Sequence, residues 1–307
     1  MPIGTVMRST GMWYDILCED QSIKTARLKG KLKLNDLKLT NPIAVGDRVN
    51  YQTESNEDPL LILSIAPRTN YVIRKSVHKE KHSHIIASNI DLAIIIATLA
   101  FPRTSMGFID RFLTSCESFR IPAMIVFNKS DLYDDEINQL YEEVKLIYEK
   151  IGYPTLLTSC ENQESIKPLI SKISGKTVLF SGHSGVGKSS MINILHPDAE
   201  QRTGEISDFS NKGLHTTTFA EMFIIDQNTF LIDTPGIKEF GIVNAEKDDI
   251  SHYFPEFRTL MNQCKYNNCK HINEPGCAVK SAVESNNIAK SRYESYLSII
   301  DNKDNRR

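Results

Sequence analysis

The chain has 307 residues, of which 40% are apolar and 24% charged, with a formal net charge of −2. That is the composition of a soluble globular protein long enough for two or three domains, without the global basic footprint of a dedicated nucleic-acid binder. No apolar run approaches the roughly 18 residues of a membrane span, and the N-terminal MPIGTVMRST has neither a signal-peptide core nor an arginine-rich transit pattern, so a cytoplasmic protein without membrane association is expected.

Residues 1–70 read as five short strands: Ile3–Arg8, Trp13–Cys18, Ile23–Leu28, Arg48–Tyr51 and Leu60–Ala66. Turn signals such as Ser9-Thr-Gly11 and Val45-Gly-Asp47 separate them. This density suggests a small closed barrel, an OB-fold first and an SH3-like barrel as the alternative. Two basic clusters stand out, Lys24, Arg27, Lys29, Lys31, Lys33 and Lys38, then Arg68, Arg74, Lys75, Lys79 and Lys81. They are either solvated loops or a phosphate-backbone surface.

Residues 71–84 are expected to be an exposed linker. From there to 241 strands alternate with helices, at Leu92–Ala97, Ala123–Phe127, Thr155–Thr158 and Thr177–Phe180, and Phe219–Ile225 with Thr229–Ile232 reads as a hairpin. The clearest helix spans Asp134–Lys150, where Ile137, Leu140, Tyr141, Val144, Ile147, Tyr148 and Ile151 form one stripe that packs into a core. Alternation of this kind predicts a mostly parallel sheet with ligands at the carboxyl ends of its strands. Three domains are expected: a barrel over 1–70, an α/β domain over 71–241, and a mainly helical one over 242–307.

The chemistry concentrates at Gly182, His183, Ser184, Gly185, Val186, Gly187, Lys188, Ser189 and Ser190. The run fits the phosphate-loop pattern G-x-x-x-x-G-K-[ST] between a strand and a helix. Its glycines let backbone N–H groups curl round phosphate oxygens, Lys188 reaches the β- and γ-phosphates, and the Ser189 hydroxyl helps hold Mg²⁺. Asn128-Lys129-Ser130-Asp131 follows a strand and fits guanine recognition. Asp131 accepts the N1–H and N2 amine of guanine, Asn128 ties loops together, and the Lys129 stem covers the base; a helix start capped at Ser130 is the alternative. Thr158-Ser159-Cys160 occupies the place of a further base-contacting turn. Asp233-Thr-Pro-Gly236 ends a strand, with Asp233 for the Mg²⁺ shell and the Gly236 N–H for the γ-phosphate.

Gly213-Leu-His-Thr-Thr-Thr218 lies where a GTPase carries its first switch. Thr217 is the nominated switch threonine, although spacing leaves Thr216 and Thr218 open. Ile237 stands near the place of the usual water-orienting glutamine, so His215 is nominated as the polar group nearest the reaction. The motif order is inverted, since N-K-x-D precedes the phosphate loop, and this implies circular permutation. Cys264-x4-Cys269-x-His271-x5-Cys277 supplies three thiols and an imidazole, a set for a closed tetrahedral structural zinc site. Disulfides are the alternative, disfavoured by compartment.

In its permuted order, its N-terminal barrel, Gly213-x-His-Thr-Thr-Thr218 and the cysteine knuckle with Glu274-Pro-Gly-Cys277, the whole chain resembles the ribosome-small-subunit-dependent GTPase A family. The resemblance implies an OB-fold, a permuted P-loop GTPase domain and a zinc-binding helical domain. It implies a monomeric GTP hydrolase, using Mg²⁺ and one zinc ion, that acts late in maturation of the 30S subunit and is released on hydrolysis. GTP, GDP, the 30S subunit and its 16S rRNA would be the partners. The competing expectations are an RNA-binding switch that does not hydrolyse GTP, and a GTPase serving a non-ribosomal partner.

Overall fold

The computed structural model describes residues 1–29, 42–53, 59–75, 83–197, 220–233 and 249–301. Its strands are β1 (Ile3–Ser9), β2 (Tyr14–Leu17), β3 (Ile23–Leu28), β4 (Arg48–Gln52), β5 (Leu60–Ile65), β6 (Tyr71–Lys75), β7 (Ser83–Ser88), β8 (Leu92–Ala97), β9 (Ala123–Phe127), β10 (Thr155–Leu157), β11 (Thr177–Ser181), β12 (Glu221–Ile224) and β13 (Phe230–Asp233). Its helices are α1 (Met106–Ser118), α2 (Asp135–Lys150), α3 (Lys167–Ile173), α4 (Lys188–Leu195), α5 (Pro255–Arg258), α6 (Ala278–Glu284) and α7 (Lys290–Ile300). The chain forms two compact units: Met1–Ala93 with Lys167–Ser181 and Lys188–Glu239, and Ile94–Ile166 with Gly182–Gly187 and Phe240–Arg307.

In the first unit the strand order β1-β2-β3-β5-β4 closes on itself through β4 and β1. The pairing β3–β5 is parallel and the other barrel ladders are antiparallel. This is the partly Greek-key closure of an OB-fold, and it settles the choice against an SH3-like barrel. Alternation along the strands sends Val6, Tyr14, Ile16, Ala26, Val49 and Ile62 inward as one core. Closure also removes the unpaired edges that would template aggregation. Lys24 and Arg27 on β3, and Lys29 just after it, face solvent. Arg68 of the second basic cluster does not. It donates to Asp47 Oδ1 and Oδ2 at 2.7 and 2.6 Å and to the Pro42 carbonyl at 2.8 Å, and Asp47 is fully buried.

The stretch 71–84, expected as a linker, instead contributes paired strands at both of its described ends. β6 and β7 form an antiparallel ribbon, and Val72, Ile73, Ile85 and Ala87 are buried. A solvated connector would leave these apolar side chains in water, whereas pairing buries them, with a register shift between Val72 and Ile73 that lets two adjacent residues be covered. The same unit holds β11 parallel to β13 and β12 antiparallel to β13. Asp226 closes the turn between β12 and β13 by accepting from Asn228 N, Thr229 N and Thr229 Oγ1. β1 meets β12 at Arg8 and Glu221.

In the second unit the order is β10-β9-β8, with β10 parallel to β9. All five residues of β9 are buried, the continuous apolar run of a strand covered on both faces. Asp134 caps α2 by accepting from Ile137 N at 2.9 Å. The stripe Tyr141, Val144 and Tyr148 is buried, as the helical spacing predicts. The C-terminal helices enclose their own core of Ile250, Phe254, Phe257, Val279, Ile288, Tyr296 and Ile299. Where this mainly helical domain enters the described residues it forms a short 3-10 turn at Ile250–Tyr253, residues 242–248 lying outside them. Its longest described helix, α7, begins at Lys290.

Candidate nucleotide site and metal centre

The carboxyl end of β9 delivers Asn128, which is fully buried. Its N–H reaches the Ala97 carbonyl at 2.8 Å, so the loop leaves the sheet in a set direction. From there the side chain links two other segments. Asn128 Nδ2 donates to the Val186 carbonyl at 2.9 Å, and Asn128 Oδ1 accepts from Thr158 Oγ1 at 3.2 Å. One side chain thus ties the strand end, the phosphate loop and the turn after β10 together. Buried amides of this kind keep their geometry because every alternative leaves a polar atom unpaired.

Lys129 takes the left-handed conformation, φ +65°, and its ammonium donates to the Phe101 carbonyl at 2.8 Å. Ser130 opens a 3-10 turn that lacks a side-chain cap, so a capped helix start does not account for the motif. Ser159 Oγ donates to Asp131 Oδ1, and Ser159 N–H donates to Ser165 Oγ at 2.8 Å. Cys160 Sγ lies 3.6 Å from Asn128 Nδ2. Burial pushes the Cys160 thiol above its ordinary pKa, against the hydrogen bond from Asn128, so it remains a neutral packing group rather than a nucleophile.

Within Gly182–Gly187 the glycines are sterically required. Gly187 has φ +92°, and a Cβ there would stand 2.3 Å from Asn128 Nδ2. At Gly182 a Cβ would stand 2.5 Å from the Ile96 carbonyl oxygen. Any side chain would push the loop off the strand end or break the asparagine bridge. Val186 is buried beneath the turn, while Ser184 and Gly185 are exposed. His183 stacks on Phe108 of α1, ring centroids 3.7 Å apart.

In the first unit, Lys188 opens α4, and Ser189 and Ser190 follow it exposed. Lys188 Nζ pairs with Asp233 Oδ1 at the end of β13, both side chains being about a fifth exposed or less (17% and 21%). The lysine and the carboxylate that the sequence nominates for phosphate and Mg²⁺ are thereby in contact. His215, Thr217 and Gly236 lie outside the described residues.

Cys264, Cys269, His271 and Cys277 put one ligand atom each within 4.8 Å of one another. His271 Nδ1 lies 3.3 Å from Cys277 Sγ and 3.6 Å from Cys264 Sγ. Tetrahedral zinc with Zn–S near 2.3 Å separates its ligand atoms by about 3.8 Å, so the donor set fits the ion. The cluster is built locally. His271 adopts φ +58°, Glu274 accepts from the N–H groups of Lys270, Ile272 and Asn273, and Cys277 Sγ accepts from Lys280 N at the start of α6. Tyr293 and Tyr296 of α7 donate to the His271 and Lys270 carbonyls at 2.7 and 2.6 Å. Burial, reinforced by the Cys277 and Cys264 sulfurs, pushes the Cys269 thiol up to about 12.

Sequence reasoning missed several of these supports. Tyr133 accepts from Leu99 N–H and donates to the Asn128 carbonyl, both at 3.0 Å, propping the base loop. Arg292 is almost fully buried (1% exposed) and pairs with Asp110 and Glu256. A lone tyrosine or arginine carries no spacing pattern, and the only signal was a charged residue on the apolar side of a helix.

Comparison with known proteins agrees with this geometry. Residues 65–243 match the RsgA GTPase model and residues 3–61 the RsgA N-terminal domain. The small ribosomal subunit biogenesis GTPase RsgA of Cytophaga hutchinsonii is 53% identical, covering 99% of both chains. That of Bacteroides fragilis is 46% identical over 98% of this chain and 97% of its own. Among solved structures, YjeQ from Thermotoga maritima superposes with TM-score 0.80 at 32% identity, covering 100% of this chain and 99% of its own. YloQ, a circularly permuted GTPase, gives 0.76 at 29%, covering 100% and 96%. The permuted motif order, the closed barrel and these full-length matches have one reading: the chain belongs to the RsgA GTPase family.

Proposed function

We propose that this chain hydrolyses GTP as a late-acting biogenesis factor of the small (30S) ribosomal subunit. In this reading it binds the subunit's 16S rRNA while GTP is bound and leaves once ribosome-stimulated hydrolysis has occurred. The observation that carries the nucleotide assignment is the pair of contacts Asn128–Val186 and Asp131–Ser159. They join guanine-type and phosphate-type motifs that the sequence presents in reversed order. Asp131 accepts the guanine N1–H and N2 amine, Lys129 covers the base, and Ser159 orients Asp131 and presents the turn to the base. Gly182 to Ser190 hold the phosphates through backbone N–H groups. Lys188 neutralises the β- and γ-oxygens, Ser189 and Asp233 hold Mg²⁺, and the Gly236 N–H meets the γ-phosphate. His215 and Thr217 are assigned to the reaction, Thr217 to the metal and His215 to the attacking water. Mg²⁺ supplies charge neutralisation when bound.

Zinc in the Cys264, Cys269, His271 and Cys277 site is structural, because protein donors fill all four positions. The domains run 1–70, 71–241 and 242–307, in a cytoplasmic monomer. Exposed Lys24 and Arg27 on β3 and Lys29 just after it support contact with a phosphate backbone. No helix among the described residues is long and apolar enough to cross a membrane.

Two measurements test the reading. Asp131→Asn shifts preference from GTP toward XTP, since the amide no longer offers two acceptors; an unchanged preference removes Asp131 from the base site. Saturating purified 30S particles raise GTP turnover severalfold. If turnover is unchanged, hydrolysis is not coupled to the subunit; if single-turnover phosphate release is absent with and without 30S while the protein still co-sediments, the chain is a non-hydrolysing RNA-binding switch. If it does not co-sediment with a non-hydrolysable GTP analogue, its partner is not the subunit.

A further inference from the structure

A charged network in the second unit joins the C-terminal helices to α1, and α1 also touches the phosphate loop through a ring stack. Arg292 on α7 donates from Nη1 to Asp110 Oδ1 at 2.7 Å, and from Nε and Nη2 to the Glu256 carboxylate at 2.7 and 3.2 Å. Its guanidinium also lies 4.6 Å over the Phe254 ring. Asp110, on α1, is fully buried, and Tyr148 of α2 donates to its Oδ1 at 2.9 Å. Asp110 Oδ2 finds no partner among the described residues. Two residues earlier on α1, Phe108 is buried and stacks on His183 inside Gly182–Gly187 at 3.7 Å.

Holding three charges out of water is a poor way to gain stability, since apolar replacements of similar volume do as well or better. Such networks are directional, however, and fix one arrangement of the elements that share them. Here the element fixed is α1, whose far contact is the phosphate loop. Packing transmits such placement because close-packed interfaces do not deform continuously.

We propose that Arg292 is a positioning residue for the phosphate loop. It holds α1 through Asp110 so that Phe108 backs His183 and sets the curl of Gly182–Gly187 around the β-phosphate. Arg292 touches no nucleotide itself. The proposal rests on the assignment of Gly182–Ser190 to phosphate binding.

The test is the affinity of the full chain for GDP and for GMP, read by displacement of a fluorescent GDP. Three variants are compared: Phe108→Leu, the charge-free Arg292→Met/Asp110→Asn/Glu256→Gln, and the two combined. Each of the first two weakens GDP binding about threefold to tenfold. The combination is no weaker than the charge-free variant alone, because both break one chain of contacts. GMP, which lacks the β-phosphate, is bound as by wild type. Wild-type GDP affinity in the charge-free variant, independent multiplication of the two effects, or equal losses for GDP and GMP would overturn the proposal. Should the charge-free variant fail to fold, Phe108→Leu decides alone, and an unchanged GDP affinity there sinks it. Lys188→Ala tests the assignment separately: if it leaves GDP affinity intact, the phosphate-loop reading falls rather than the link from Arg292.

Discussion

The N-terminal barrel and the C-terminal helical region solve the same problem of being small in opposite ways. The barrel closes five short strands into a continuous ladder around Val6, Tyr14, Ile16, Val49 and Ile62. Its stability comes from apolar area and an uninterrupted set of backbone hydrogen bonds. Among its described residues the C-terminal region has α-helices of 4, 7 and 11 residues, too short to persist alone. Beside a small apolar core around Phe254 and Phe257, it depends on directional links: four metal-type donors within 4.8 Å, two tyrosine hydroxyls on the knuckle backbone and the buried Arg292 pairs. A core built on area tolerates gradual change, whereas one built on directional bonds fails when a single node is lost.

The strongest way to break this comparison is to remove the zinc proposed for the Cys264, Cys269, His271 and Cys277 knuckle. Chelation costs the C-terminal region on the order of 10 kcal/mol. Hydrogen exchange then shows α6 and α7 unprotected while barrel amides such as Ile16 and Val49 keep their protection. Equal loss in both regions means that they are not independent in this sense. Next, Phe257→Ala empties a fully buried site that stacks on Phe254 and lies 4.9 Å from Tyr296. About 4 kcal/mol is lost, read as early proteolytic release of the C-terminal segment.

The first unit has a buried directional node of its own beside the barrel, and it limits the contrast. Asp47→Ala removes the partner of Arg68 and the acceptor for Ser88 Oγ and Ala44 N. The expected cost is about 3 kcal/mol, seen as a lower urea midpoint of the first unit. A cost near zero would mark the barrel as purely apolar in its energetics. The smallest effect is that of Tyr296→Phe, which deletes the hydrogen bond to the Lys270 carbonyl. About 1 kcal/mol is lost, measured as faster zinc release to a competing chelator, with barrel exchange rates unaltered.

Much of this molecule is legible from local pattern. Ile3, Tyr14, Ile23, Arg48 and Leu60 each lie at or within one residue of a strand start that periodicity predicts, because a two-residue alternation needs only neighbours to be read. The knuckle is legible for the same reason: its donors fall within 14 residues, Cys264 to Cys277. The linker reading of 71–84 failed because its charges drew attention away from Val72, Ile73 and Ile85, whose burial depends on strand pairing. Arg68 likewise reads as part of a basic cluster until Asp47, 21 residues away, is seen to hold it.

By itself, the sequence determined the chemistry: a phosphate loop, a guanine motif and a zinc-type donor set, each written in residues a few positions apart. Tertiary structure alone decided how these are supported. Only it shows the barrel's strand order, the bridge from Asn128 to Val186 across 58 positions, and the pairing of Arg292 with Asp110 across 182. The physical reason is range. Spacing encodes which groups a turn or strand presents, but a buried polar atom accepts any geometrically suitable partner, and folding alone brings that partner within reach.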